Sequence, residues 1–298
     1  MSRISDYGRG RIDCAMREGR LSHAVLITGD NYICAETVRY AAALLFGKSE
    51  TAVEDCADFI RIDGHMLRVQ STEELLSELN VTPNSGKRLI SVRNAGYMSV
   101  SVQNMLLKTI EEPPQGNYFF LYGNDKGLLP TIRSRCAILS LGQATDQDIA
   151  EYLGNDISRE DAVYYARLGG DVETARRMCD DIEYRDFCMN CAALICSVGR
   201  KTLFNKFEVI SDDVKRATDM FDMALSDMRR IKLGLDCVYF TRAPHSDYVS
   251  ECAGRLTEKQ IDGMCSLVRE MRVALFTNVP PKQLFDNFSA RTEQVIYD

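Results

Sequence analysis

Five short apolar segments, each separated from the next by room for at least a turn of helix, constrain the fold of this chain more than any other feature. They occupy residues 24–28 (AVLIT), 58–62 (DFIRI), 88–92 (RLISV), 118–122 (YFFLY) and 137–141 (AILSL). Each is rich in β-branched or aromatic side chains and bounded by turn residues, which is the signature of a strand. Helix starts lie between them. Ser71 with Glu74 predicts a capping box ahead of Leu75, and Ser99 opens a helix running to Glu111. That helix must stop there, because Pro113 biases Glu112 away from helical backbone and Pro114 cannot continue it. Strand and helix in alternation predict a parallel sheet with helices on its faces.

The strand signal ends at Gly142. Residues 145–154, 158–168 and 171–179 read as three short helices, with Gly169-Gly170 as a break. Longer helical patterns follow from about residue 182, clearest over 212–233 and 257–276, and Pro280-Pro281 introduces a last one. The expected fold class is α/β followed by all-α. An α/β domain is expected over 1–142, a small helical domain over 143–181 and a helical bundle over 182–298.

Composition narrows the class. The chain has 298 residues, 45% hydrophobic and 27% charged, a length that suits two or three domains at roughly 150 residues each. No apolar run approaches about 20 residues, so no membrane-spanning helix is expected. No basic-then-apolar leader opens the sequence, which predicts a cytoplasmic protein. Eleven scattered cysteines read as reduced thiols packed as small apolar groups. The net charge of −7 speaks against DNA binding through bulk charge. Residues 1–142 carry 16 basic and 16 acidic side chains, whereas residues 143–298 carry 20 basic and 27 acidic. The acidity belongs wholly to the helical part, which suits contact with other proteins better than contact with DNA.

The first strand runs into Gly29-Asp30-Asn31-Tyr32-Ile33-Cys34-Ala35-Glu36, with an apolar helix expected over 37–46. A strand, a turn opening on glycine and a helix make the frame of a phosphate-binding loop, G-x-x-x-x-G-K-[ST]. Only Gly29 is kept. Cys34 replaces the glycine that lets the backbone wrap the phosphates, Ala35 the lysine that reaches the β and γ oxygens, and Glu36 the hydroxyl that ligates magnesium. A carboxylate there repels a triphosphate. By these residues alone, an ordinary strand-to-helix turn is the favoured reading, and the frame on its own is a weak signal. The third strand repeats the loss: where a P-loop ATPase presents carboxylates for metal and attacking water, this chain has Arg93-Asn94. Hydrolysis is not expected here, and neither a cofactor nor a metal ion.

Residues 102–136 read VQNMLLKTIEEPPQGNYFFLYGNDKGLLPTIRSRC. From Asn104 to Cys136 this strongly resembles the clamp-loader subunits of bacterial DNA polymerase III. Leu106-Leu107-Lys108-Thr109, Glu111-Glu112-Pro113-Pro114 and Ser134-Arg135-Cys136 are all in register. Arg20-Leu21-Ser22-His23-Ala24 is similar to the family's entry to its P-loop. The resemblance covers roughly residues 15–142 and fades in the helical remainder. It implies an AAA+ module with a three-helix lid over 143–181, then a helical collar over 182–298 that joins subunits into a ring. Such rings load the sliding clamp on primed DNA.

Within the family, the losses at Ala35 and at Arg93-Asn94 point to the delta-prime type rather than the ATP-hydrolysing gamma/tau type. The resemblance then implies no ATPase activity of the chain's own, but membership of a DNA-directed DNA polymerase holoenzyme. The implied partners are gamma/tau and delta subunits, with the sliding clamp reached through the assembly and primed DNA contacted mostly indirectly. Arg135 becomes an arginine finger that acts in trans on a neighbour's ATP, with Ser134 and Cys136 as positioning and packing residues. Without the resemblance, Arg135 reads as a surface arginine at a helix end. Two other functional readings are a gamma/tau-like clamp-loader ATPase with an altered P-loop and an AAA+ scaffold outside replication.

Many relatives carry a four-cysteine zinc module in the segment that corresponds to residues 46–58. Only Cys56 is present here, too few thiolates for a tetrahedral site, so no zinc is expected. Cys188, Cys191 and Cys196 read as a buried helical stripe. His23, His65 and His245 are isolated. Asn124 resembles a sensor residue of AAA+ ATPases but also suits a turn. Arg176 corresponds loosely to a second sensing arginine of the lid, and Lys108 reads either as a DNA-facing cation or as a solvated helix face.

Overall fold

The computed structural model describes residues 3–123, 125–154, 157–198, 207–211, 213–275 and 279–297. The chain divides into two compact units, Met1–Ala175 and Arg176–Asp298. The division falls inside a helix.

The first unit runs α1 (Arg3–Arg17), β1 (Ala24–Gly29), α2 (Asn31–Phe46), β2 (Phe59–Asp63), α3 (Val69–Glu78), β3 (Arg88–Arg93), α4 (Val100–Glu111), β4 (Asn117–Tyr122), α5 (Pro130–Arg133), β5 (Ala137–Gly142), α6 (Asp146–Leu153), α7 (Arg159–Gly169) and the opening of α8 (Val172–Asp180). The five strands are parallel in the order β2-β3-β4-β1-β5. β1 is therefore interior and β5 is an edge. Alternation along the strands turns Leu26, Ile90, Val92, Phe119 and Leu121 to one face, where Leu75, Val102, Leu106, Ile110 and Ile132 of α3, α4 and α5 complete the core. Val25 and Ile27 turn to the other face, which α2 covers with Ile33, Val38, Ala41 and Leu45, all buried.

Two local expectations are corrected and one element is added. The segment 31–36 is not a loop, because α2 begins at Asn31, six residues before the expected start. Ser71 is not an N-cap. The helix is entered at Val69, and the Ser71 hydroxyl instead accepts the Arg68 N–H at 3.0 Å from inside the first turn. α1, which packs on α2 and β5, was not anticipated.

The second unit continues with α9 (Ile182–Cys196), α10 (Val214–Lys232), α11 (His245–Arg255), α12 (Glu258–Ala274) and α13 (Pro281–Tyr297). Residues 212 and 276, the outer limits expected for α10 and α12, lie outside the described residues. α10 packs against α9, α11 and α12, burying Met220, Phe221, Leu225 and Met228. Thr257 and Gln260 form a reciprocal capping box at the start of α12. The fully buried Asp227 accepts N–H groups of Val238, Tyr239 and Phe240, which pins the α10–α11 connection. Cys188, Cys191 and Cys196 line the buried side of α9, as the sequence stripe predicts. Among the described residues no helix is long and apolar enough to cross a membrane.

Candidate functional site

Only Asp30 separates β1 from α2. Gly29 has φ +144°, and a Cβ there would lie 2.6 Å from the Gly142 carbonyl oxygen, so the position admits only glycine. Asp30 follows in extended conformation as the N-cap of α2. Its Oδ1 accepts the N–H groups of Tyr32 at 2.9 Å and Ile33 at 3.2 Å. An Asp in this role satisfies the orphan donors of a first turn, and that is why residues 31–36 wind as helix. Its Oδ2 accepts the Val172 N–H at 3.4 Å, at the start of α8. Asp30 is only 6% exposed. Burial pushes its carboxyl above the usual range; the Ile33 and Val172 N–H groups work against the rise, and Asp171 adds to it. A helix N-terminus after a first strand is where an anion binds. Here the chain's own carboxylate takes that place.

The neighbouring positions are also engaged. Cys34 is buried inside α2, and burial pushes its thiol up to about 12. Ala35 supplies no cation. Glu36 accepts the Tyr152 hydroxyl of α6 and pairs with Arg39 at 3.4 Å. The Tyr152 ring meets Tyr32 edge to face, with centroids 5.6 Å apart. Arg93, at the end of β3, donates from Nη2 to Glu173 Oε2 of α8 at 2.7 Å. Asn94 adopts left-handed backbone (φ 55°), which asparagine tolerates, and its Nδ2 donates to Asp63 Oδ2 at 3.0 Å.

The Ser134-Arg135-Cys136 segment lies at the other end of the sheet. Gln103, buried on α4, donates to the Met98 and Gly127 carbonyls and accepts the Leu129 N–H at 2.7 Å, fixing the chain that enters α5. Ser134 closes α5, its hydroxyl donating to the Thr131 carbonyl at 3.2 Å. Cys136 packs against the core, and burial pushes its thiol up to about 11. Between them Arg135 donates from Nε to Glu111 Oε2 at 2.9 Å and from Nη1 to the Thr131 carbonyl at 3.0 Å. The Arg135 side chain is 34% exposed and that of Glu111 53%. Because β5 starts at Ala137, beside Val25, and ends beside Gly29, Arg135 is separated from the turn after β1 by the length of the strand, about 17 Å. It cannot act on a ligand at that turn and faces outward at the sheet's edge.

The remaining candidates are dispersed. Asn124 lies outside the described residues. Lys108 is exposed on α4, and Arg176 is exposed on α8 in the second unit. His23 shares a 3.0 Å hydrogen bond with the Ile110 carbonyl, and His65 stacks on Tyr97. Sequence reading missed Asp30, Gln103, Tyr152 and Glu173. Asp30 had a usable signal, an Asx residue directly after a strand and before a helix-compatible run; the other three are recognisable only from tertiary contacts.

A five-stranded parallel sheet in this order, a glycine-led turn after β1 and an SRC segment at the entrance to β5 agree with the α/β module that the sequence resemblance implies. The family described as DNA polymerase III, delta subunit, matches residues 10–145, and that segment is similar to clamp-loader subunits of bacterial DNA polymerase III. It is 36% identical over 101 residues to DNA polymerase III subunit gamma of Buchnera aphidicola subsp. Schizaphis graminum, covering 33% of this chain and 28% of that one. It is 31% identical over 104 residues to subunit delta' of Escherichia coli K12, covering 34% and 31%. These matches span less than a third of either relative's length. A gamma subunit-related protein of Thermotoga maritima superposes with a TM-score of 0.53 at 17% identity, over 95% of this chain and 98% of that one, which is a likeness of fold.

Proposed function

We propose that the chain is a non-hydrolysing, delta-prime-like subunit of the clamp loader, which helps load the sliding clamp on primed DNA and lends Arg135 in trans to a neighbour's ATP site. The observation that carries this reading is the Asp30 carboxylate on the first N–H groups of α2. A triphosphate would have to displace that buried anion, with no lysine at Ala35 to draw it in and Arg93 where a metal-holding carboxylate is needed. In phosphoryl transfer the migrating group spreads negative charge over its equatorial oxygens, and an arginine from a neighbouring subunit stabilises it. Arg135 suits that task because its partner here is a surface carboxylate. Such a pair is worth about 0–1 kcal/mol, so the guanidinium can exchange Glu111 for phosphate at little cost. In this reading residues 143–181 form a lid and residues 182–298 the collar. The collar joins gamma/tau and delta subunits in the cytoplasm, leaving most DNA contact to them.

Two experiments test the proposal. A thermal-shift titration with Mg-ATP is expected to leave the melting temperature unchanged, and stabilisation by several degrees would refute the non-binding reading. Reconstitution with the ATPase subunits, comparing wild type with Arg135→Ala and Arg135→Lys, is expected to give assembled rings. DNA-dependent hydrolysis at the site served by Arg135 should fall on the order of 10³-fold in both variants. Undiminished hydrolysis in an assembled ring would refute the finger role.

A further inference from the structure

We infer that the side chains standing where a nucleotide would be handled have become an internal latch, which holds the helices over residues 146–175 against the carboxyl ends of β1 and β3 with no ligand present. Three links, each from a different position of the degenerate site, end on these helices. Asp30 Oδ2 accepts the Val172 N–H at the start of α8. Glu36 accepts the Tyr152 hydroxyl of α6, whose ring also packs on Tyr32. Arg93 donates to Glu173 in the first turn of α8. All these residues lie within the first unit.

The chemistry explains why one link dominates. Asp30 is the most enclosed of the three and faces two helix N-termini at once, one oxygen to α2 and the other to α8, so its single carboxylate ties both first turns together. The Arg93 and Glu173 side chains are 40% and 60% exposed, so their pair orients more than it stabilises. A bound triphosphate would join the sheet end to the following helices only while it was bound. Links built from the chain's own side chains persist, and the position of residues 146–175 becomes independent of nucleotide. The latch rests on reading these positions as the remains of a nucleotide site, but not on any role in replication.

Hydrogen exchange followed by mass spectrometry on the full chain tests it. Asp30→Asn leaves one oxygen to cap α2 but sets an amide N–H against that of Val172. Tyr152→Phe removes the second link from the helix side, and Glu173→Gln takes the charge from the third, leaving at most a neutral amide oxygen for Arg93. In the triple variant, amides within 146–175 are expected to exchange about tenfold faster, as loss of local hydrogen bonds requires. The strands and residues 182–297 should keep wild-type protection. Unchanged protection over 146–175 would overturn the latch. If the triple variant loses protection everywhere, Tyr152→Phe and Glu173→Gln decide as single substitutions, since neither touches a strand. Faster exchange confined to 146–175 in either one supports the latch, and no change in both overturns it. Adding Mg-ATP to wild type separates the two proposals: protection gained on addition refutes the non-binding reading, whereas the variants report on the latch alone.

Discussion

The two ends of one sheet treat charge differently. At the carboxyl ends of β1 and β3, Asp30, Glu36 and Arg93 are all tied to the chain's own helices. At the amino end of β5, Arg135 rests on Glu111, a carboxylate more than half exposed. Both ends hold their charged groups with hydrogen bonds, so the presence of partners does not separate them. What separates them is the cost of exchange. Releasing Asp30 leaves buried N–H groups unsatisfied, whereas releasing Arg135 returns a surface carboxylate to water. If Arg135 serves a neighbour, as proposed, it has to be held by something it can leave.

The largest effect that would break this contrast is at Arg135. Its loss should lower hydrolysis at the served site by the factor given above, while Glu111→Gln should leave hydrolysis in the reconstituted ring near wild type and move stability by no more than about 0.5 kcal/mol. A Glu111→Gln effect as large as that of Arg135→Ala would erase the distinction. Next comes Gly29→Ala, which forces a side chain into positive-φ backbone against a carbonyl and should cost roughly 1–3 kcal/mol in a urea melt. Asp30→Ala removes a cap and should cost about 1–2 kcal/mol, read in the same way.

A smaller effect lies in pH. Burial raises the Asp30 carboxyl, so the stability it contributes is full below the unfolded value of about 3.9 and declines as pH rises through the native value. Asp58 is opposite. Burial pushes it up, but the N–H and hydroxyl of Ser85, the Asn84 N–H and Arg88 outweigh this and hold it below the usual range. Its contribution is present above about 3.9 and is lost as pH falls through the native value. Denaturant titrations of Asp30→Asn and Asp58→Asn between about pH 2 and 7 should therefore differ from wild type with opposite slopes; parallel slopes would contradict the assignment. The smallest test is thiol reactivity. The exposed Cys14 should alkylate near neutral pH while the buried Cys34, at about 12, stays unmodified.

Much of the first unit was legible in the sequence because its signals are local. Every expected strand limit agrees with the structure to within one residue, since apolar runs bounded by turn residues leave few alternatives. The helix from Ser99 to Glu111 was legible for the same reason, with a cap at one end and two prolines beyond the other. The segment 31–36 was misread because the phosphate-loop frame suggested a loop, while the Asx residue at its start dictated a helix. α1 carries a favourable charge at each end, Asp6 and Arg17, and a sparse apolar stripe of Ile4, Ile12 and Met16 that was legible but passed over. Tyr152 and Glu173 are more than 75 positions from the residues they engage, a separation no pattern spans.

Gly29 leaves a consequence of its own. It is the last surviving letter of a phosphate motif, yet what requires it is the carbonyl of Gly142. Gly142 ends the edge strand whose opposite end carries Arg135. Any side chain at position 29 would wedge open the seam between interior and edge strands and displace the platform from which the arginine projects. Under the proposed function, the remnant of one site is thereby structural footing for the other, and the glycine's presence says nothing about whether a nucleotide binds.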